Sequence, residues 1–202
     1  CVLDPSPAYT DDKITATATG LDDPDGDSLT VIYEWRVNGV TQSSITGATL
    51  NKSKTEKGDL VEIDCAVTDG SVTSNTISDS LTINNSPPGA AALSLSPSNP
   101  QTNQRLDAII DTPADDADTD TLTYEYEFTV NGVTSQGPSS KEFIGKNIVQ
   151  RGELWEVTVY ANDGTDSGPS STASVTIENA PATLTDCDIS PSNPGTLDQL
   201  TA

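Results

Sequence analysis

From Leu29 to Val37 the chain alternates apolar and polar positions. Leu29, Val31, Tyr33, Trp35 and Val37 share one face and Thr30, Glu34 and Arg36 the other, with Ile32 the exception. Period-two patterning predicts a half-buried strand, and the Asn38-Gly39 pair that follows favours a tight type I′ hairpin. The pattern returns as Leu122, Tyr124, Tyr126, Phe128 and Val130, followed by Asn131-Gly132. A second inward set, Val61, Ile63, Cys65 and Val67, ends at Asp69-Gly70, and its counterpart Trp155, Val157, Val159 and Ala161 ends at Asp163-Gly164. Ile14 and Ala16, with Leu106 and Ala108, mark a second strand; Leu81 and Ile83, with Val175 and Ile177, mark a closing one. Leu, Ala, Glu and Lys do not recur at helical spacing. About seven short strands separated by turn signals predict an all-β Greek-key sandwich, made twice.

The two sets of strands belong to a sequence repeat. Asp23-Pro24-Asp25-Gly26-Asp27 matches Asp116-Ala117-Asp118-Thr119-Asp120, and Ile83-Asn84-Asn85-Ser86-Pro87 matches Ile177-Glu178-Asn179-Ala180-Pro181. Cys1-Val2-Leu3-Asp4-Pro5-Ser6-Pro7 returns at Leu93–Asn99 and again at Cys187–Asn193. The expected organisation is a first unit over 1–85, a linker over 86–92, a second unit over 93–179, a linker over 180–186 and the start of a third unit over 187–202. A fixed period announces an array, and each unit must bury its own small core. The chain lacks methionine and both ends fall inside the repeat pattern, so it is expected to be a segment of something larger.

Charge narrows the partners. Thirty-one acidic against nine basic residues give a formal charge of −22, which argues against nucleic acid or an anionic bilayer and suits cations. No run is apolar enough to span a membrane. The chain contains no histidine, which removes Ser-His and Cys-His nucleophile systems and imidazole metal sites. The expectation is a non-enzyme. A sugar-binding platform needs exposed rings, but aromatics are 4% of the chain and both Trp35 and Trp155 fall on inward faces.

The three cysteines make sense only in the light of the repeat. Cys1 and Cys65 take inward positions in the first unit, and both are replaced together in the second, by Leu93 and Val159. A pair that disappears together predicts a Cys1–Cys65 disulfide. Cys187 stands where Cys1 does, so its partner is expected outside the segment. The alternative is three small buried hydrophobes. Disulfides imply an oxidising compartment, hence an extracellular or cell-surface location.

The acidic turns carry the only chemistry. Asp23, Asp25 and Asp27 alternate along a turn that Gly26 lets bend, and Asp116, Asp118 and Asp120 keep that spacing. Alternating carboxylates on a turning backbone can converge on one hard cation, and Ca²⁺, with six to eight oxygen ligands, suits them. Asp69 and Asp163 close the neighbouring loop, and Asn85 and Asn179 could add oxygens. An Asx-turn role without metal is the alternative, since Asp and Gly are ordinary turn residues. Asp22 and Asp115 read as solvated neighbours.

The run from Asp23 to Gly39, the run from Lys57 to Gly70, and the strand ending Ile83-Asn84-Asn85-Ser86-Pro87-Pro88 together resemble immunoglobulin-like repeats of large microbial secreted or surface proteins. They are similar to the PKD and cadherin-like groups among them. The likeness implies tandem Greek-key immunoglobulin-like β-sandwich domains. It also implies Ca²⁺ at the domain ends, carried over to Asp23, Asp25, Asp69, Asp116, Asp118 and Asp163, and more weakly to Asp27, Asp120, Asn85 and Asn179. The WDFGDG signature of many PKD domains is absent, as is a strict cadherin linker. The function expected is a stalk, spacer or fibre segment; the alternative is a carbohydrate-binding or adhesive module. The partners expected are neighbouring repeats, other copies in a fibre, or surface glycans.

Overall fold

The computed structural model describes residues 1–188 together with Gly195 and Thr196. The expected third unit therefore lies outside the described residues apart from Cys187, Asp188, Gly195 and Thr196. Fifteen strands and one 3₁₀ turn (Lys52–Lys54) make up the described structure. The first eight strands are β1 (Val2–Asp4), β2 (Ala8–Tyr9), β3 (Ile14–Thr17), β4 (Thr30–Val37), β5 (Val40–Thr41), β6 (Thr49–Leu50), β7 (Leu60–Thr68) and β8 (Ile77–Asn84). They form a three-stranded sheet, β1-β3-β6, and a five-stranded sheet, β2-β8-β7-β4-β5. The remaining strands are β9 (Ala92–Ser96), β10 (Leu106–Thr112), β11 (Thr123–Val130), β12 (Val133–Ser139), β13 (Phe143–Ile144), β14 (Leu154–Asn162) and β15 (Ser171–Thr176). These give sheets β9-β10-β13 and β12-β11-β14-β15. In both cases strands that are neighbours in sequence cross between sheets, which is the Greek-key, immunoglobulin-like sandwich.

The alternation read from the sequence sets the register. Trp35 opposes Ile63 and Val37 opposes Val61 across β4–β7, while Phe128 opposes Val157 and Val130 opposes Trp155 across β11–β14. These side chains fill two separate cores, one around Trp35, Ile14, Leu50 and Ile83, the other around Trp155, Leu106, Phe128 and Ile177. Trp35 and Trp155 are 0% and 1% exposed. Burying a large apolar side chain contributes about 1.5–3 kcal/mol. Neither indole N–H is left unpaired: Trp35 donates to the Gly47 carbonyl and Trp155 to the Glu153 carboxylate, both at 2.9 Å. Ile32, the odd residue of its strand, is 44% exposed on the outer face.

Both Asn-Gly pairs turn as their residue types demand. Asn38 and Gly39 have φ of 51° and 75°, and Asn131 and Gly132 have 49° and 79°, the positive pair of a type I′ hairpin. The first strand differs from its simplest reading. It is split at Pro5 and Pro7, so β1 pairs antiparallel with β3 while β2 crosses over to pair parallel with β8. Proline has no N–H to give a ladder, and two of them let the chain change sheets. In the second sandwich the parallel contact shrinks to one bridge, Gln101 with Glu178.

Cys1 and Cys65 are joined, with sulfurs 2.00 Å and Cα atoms 5.9 Å apart, tying the start of the chain to β7 across the first core. Cys187 is exposed and unbridged.

Candidate functional site

Residues 85–92 do not hang between the sandwiches. Ser86, Pro88 and Ala91 are buried. Ala91 packs with Ala114 and Ala161 in a small apolar cluster flanked by Ile110, Leu122 and Tyr124 of the second sandwich. The Gly89 N–H donates to the Asp115 carbonyl at 2.8 Å, and the Ser171 hydroxyl donates to the Ala91 carbonyl at 2.5 Å. Gly168 permits this approach, because a Cβ there would lie 2.3 Å from the Pro88 carbonyl oxygen.

The acidic turn of the second sandwich meets the far end of the first at this joint. Asp116 Oδ1 accepts the backbone N–H of Asp118 (2.9 Å) and of Asp120 (3.2 Å), so one carboxylate folds the turn around itself. Asp118 is engaged at both oxygens from the first sandwich, by the Thr10 hydroxyl and by the Ser86 N–H at 2.6 Å. Asp120 accepts from the Lys57 ammonium, which also donates to Asn85 Oδ1 at 3.0 Å. The Asn85 amide in turn donates to Asp163 at 2.8 Å and to Asp166 at 2.9 Å. A shallow cavity lined by Thr10, Glu56, Lys57, Ala117, Asp118 and Thr119 opens beside the contact.

Electrostatics follow from this geometry. The Asp163 carboxyl is held below its ordinary range by the Asp166 backbone N–H, then by the Asn85 amide, with Thr165 and Lys57 adding to it. The Lys57 ammonium is raised above its ordinary value, chiefly by its hydrogen bond to Asp120. Asp69 is lowered by the N–H groups of Val72 and Ser71, at 2.7 and 2.6 Å.

Among the described residues, Asp116, Asp118 and Asp120 are the one acidic group whose ligand atoms all lie within 4.8 Å of one another. Asp116 Oδ2 is buried with no hydrogen-bond partner. The first turn has the same backbone logic, with Asp23 Oδ1 accepting from Asp25 (2.9 Å) and Asp27 (3.2 Å). However, Asp25 and Asp27 are exposed and their carboxylates do not converge in this way. Asp23 and Asp69 line a common shallow depression with Leu29 and Val72. Asn85 stands at the joint, whereas Asn179 is exposed at the opposite end of the second sandwich.

Sequence reasoning missed Thr10, Lys57, Ser86, Asp166 and Gly168. A signal was present: Thr10 and Lys57 recur as Thr102 and Arg151, while Gly168 replaces Ser74 where the linker presses in.

No family model matches the chain and no curated protein matches it. Among solved structures it is similar to the selenomethionine-substituted chicken interferon gamma receptor alpha chain. The identity is 14% and the TM-score 0.46, over 82% of this chain and 91% of that one. It is also similar to the FN1–FN3 domains of chicken CNTN1, at 11% identity and a TM-score of 0.36, over 82% of this chain and 62% of that one. The immunoglobulin-like fold is established by the chain's own strand order.

Proposed function

We propose that this chain is a structural repeat segment, a stalk or spacer, of a large extracellular microbial protein, in which Ca²⁺ at the acidic turns stiffens the joints between units. The observation that carries this reading is the seated joint. Four residues of the first sandwich or its tail (Thr10, Lys57, Asn85 and Ser86) grip four aspartates of the second (Asp118, Asp120, Asp163 and Asp166), and Ser86, Pro88 and Ala91 of the linker between them are buried. A joint tied at that many points holds direction as well as distance, which is what a spacer requires. The disulfide suits an oxidising compartment, and among the described residues no helix is long and apolar enough to cross a membrane.

The residues present fit a divalent ion. Three clustered carboxylates face one ammonium, and Asp116 Oδ2 is buried without a donor. An unsatisfied ionised oxygen is costly to bury, and a hard cation taking several oxygens removes that cost. Asp116, Asp118 and Asp120 would hold the ion, which would supply neutralising charge to the knot. Asp23, Asp25 and Asp27 would do the same where a preceding unit covers them.

Small-angle scattering and thermal unfolding, each with calcium and with chelator, test the proposal. The expected results are an extended particle of narrowly distributed length and a midpoint that falls on chelation. A midpoint indifferent to chelator removes the metal; a broad spread of lengths removes the spacer.

A further inference from the structure

The hydrogen bonds of the two sandwiches superimpose residue by residue at the end where the joint forms. Gly58 N–H donates to the Ile83 carbonyl at 2.8 Å, and Gly152 N–H to the Ile177 carbonyl at 2.9 Å. Leu60 N–H donates to Asn38 Oδ1 and Leu154 N–H to Asn131 Oδ1, both at 3.0 Å. Tyr9 runs parallel to Asn84, as Gln101 does to Glu178. These matches fix three equivalences: Lys57 with Arg151, Thr10 with Thr102, and Asn85 with Asn179. The first member of each pair grips the acidic turn of the second sandwich. The second members keep a cation, a hydroxyl and a carboxamide at the corresponding places, where Arg151 and Asn179 are exposed.

Ser86, Pro88 and Ala91 are buried against a following sandwich, while every residue from Glu178 to Asp188 is exposed, with Leu184 at 85%. At the other extremity, Asp25 and Asp27 are the equivalents of Asp118 and Asp120 and carry neither hydroxyl nor ammonium partner among the described residues.

We propose that Thr102, Arg151 and Asn179 form a docking end for the Asp-x-Asp-x-Asp turn of a following unit, with Arg151 placed to pair with the third aspartate as Lys57 does with Asp120. Arginine presents a planar fork able to engage a carboxylate through two bonds, where lysine offers a point charge. The inference rests on the repeat-segment reading and names the surface through which the array continues. The contact is heterologous, one end of a unit meeting the opposite end of the next, so it propagates without closing.

A second copy of the chain offers the required turn at Asp23–Asp27, which makes the proposal testable with the chain as it is. Sedimentation should be followed into the millimolar range, the effective concentration that a short linker supplies. At about 0.15 M salt, where charges act over roughly 8 Å, so that the overall −22 charges of two copies are largely screened while groups paired at the contact are not, the wild-type chain should form assemblies that grow past the dimer. At about 1 M salt, where they act over roughly 3 Å, those assemblies should dissolve. Arg151→Glu alone and Asp27→Lys alone should each leave monomers, with unchanged circular dichroism to show that they fold. The combined R151E/D27K chain should associate again. A wild-type chain monomeric throughout, or association untouched by Arg151→Glu, overturns the proposal. The scattering length of the single chain is independent of this contact, so failure here leaves the spacer reading standing, and failure there is seen separately.

Discussion

The two acidic turns of this chain share spacing, backbone folding and an organising aspartate, yet only one is finished. Around Asp116, Asp118 and Asp120 the preceding sandwich supplies a hydroxyl, an ammonium and a backbone N–H, and the carboxylates draw together. Around Asp23, Asp25 and Asp27 no described residue outside the turn supplies any of these, and the last two lie open to water. The aspartates themselves are therefore not what makes a joint; the neighbour that covers them is. The same lesson is written in the loop beside them. Ser74 and Gly168 occupy equivalent places, donating to the carbonyls of Val67 and Ala161, and the side chain is dispensed with only where a linker presses against it.

The largest way to separate the two halves is to cut the one covalent tie that only the first possesses. Cys65→Ala, or reduction, opens a crosslink spanning 64 residues and should lower the stability of the first sandwich by about 4 kcal/mol while leaving the second unchanged. Denaturant unfolding followed by the fluorescence of Trp35 and Trp155 in single-tryptophan variants resolves the two.

Gly168→Val comes next. It drives a side chain into the Pro88 carbonyl, which is backbone and cannot rotate away, so a loss of about 1–3 kcal/mol is expected, along with protease cleavage near Pro88. Ser74→Val meets no linker and removes only the bonds of its own hydroxyl, which accepts from the Val67 N–H and donates to the Asn75 carbonyl, so it should leave cleavage near Pro88 unchanged.

Asp118→Asn should be felt more than Asp25→Asn. The first weakens two bonds received from the preceding sandwich, and hydrogen bonds to a charged group contribute about 1.5–3 kcal/mol each. The second touches an exposed carboxylate and should stay within about 0.5 kcal/mol. Equal losses would break the comparison.

Acid gives the smallest and most gradual effect. Asp163 and Asp69 titrate below their unfolded range, so the stability they lend is complete above about pH 4 and drains away as pH falls through their folded values. Because Asp163 also holds Asn85, the joint should loosen over the same interval, visible as a broadening of scattering lengths before either sandwich melts. Lys57 has the opposite sense: its value is raised, so its contribution persists through neutral pH and disappears only in alkali beyond about pH 10.

The strands around Trp35 and Phe128 were legible because each residue's face is decided within two positions of itself. The hairpins were legible because Asn-Gly tolerates the positive φ that a type I′ turn needs. The acidic spacing was visible for the same local reason. What sequence could not display was who meets it. Thr10 and Asp118 are 108 positions apart, and Lys57 and Asp120 are 63 apart. Threonine and lysine on a surface carry no mark of their partner. Nor could spacing distinguish a turn with a neighbour from one without, since both are written with the same aspartates.

One detail of the first sandwich bears on what happens when a tethered chain is pulled. Cys1 stands ahead of every strand and is bonded to Cys65, so tension entering at the start of the chain passes through the disulfide into β7, and residues 2–64 cannot be drawn out. The second sandwich has no such crosslink. Under rising tension it should therefore be the first to give way, lengthening like a fuse while its disulfide-locked neighbour stays whole.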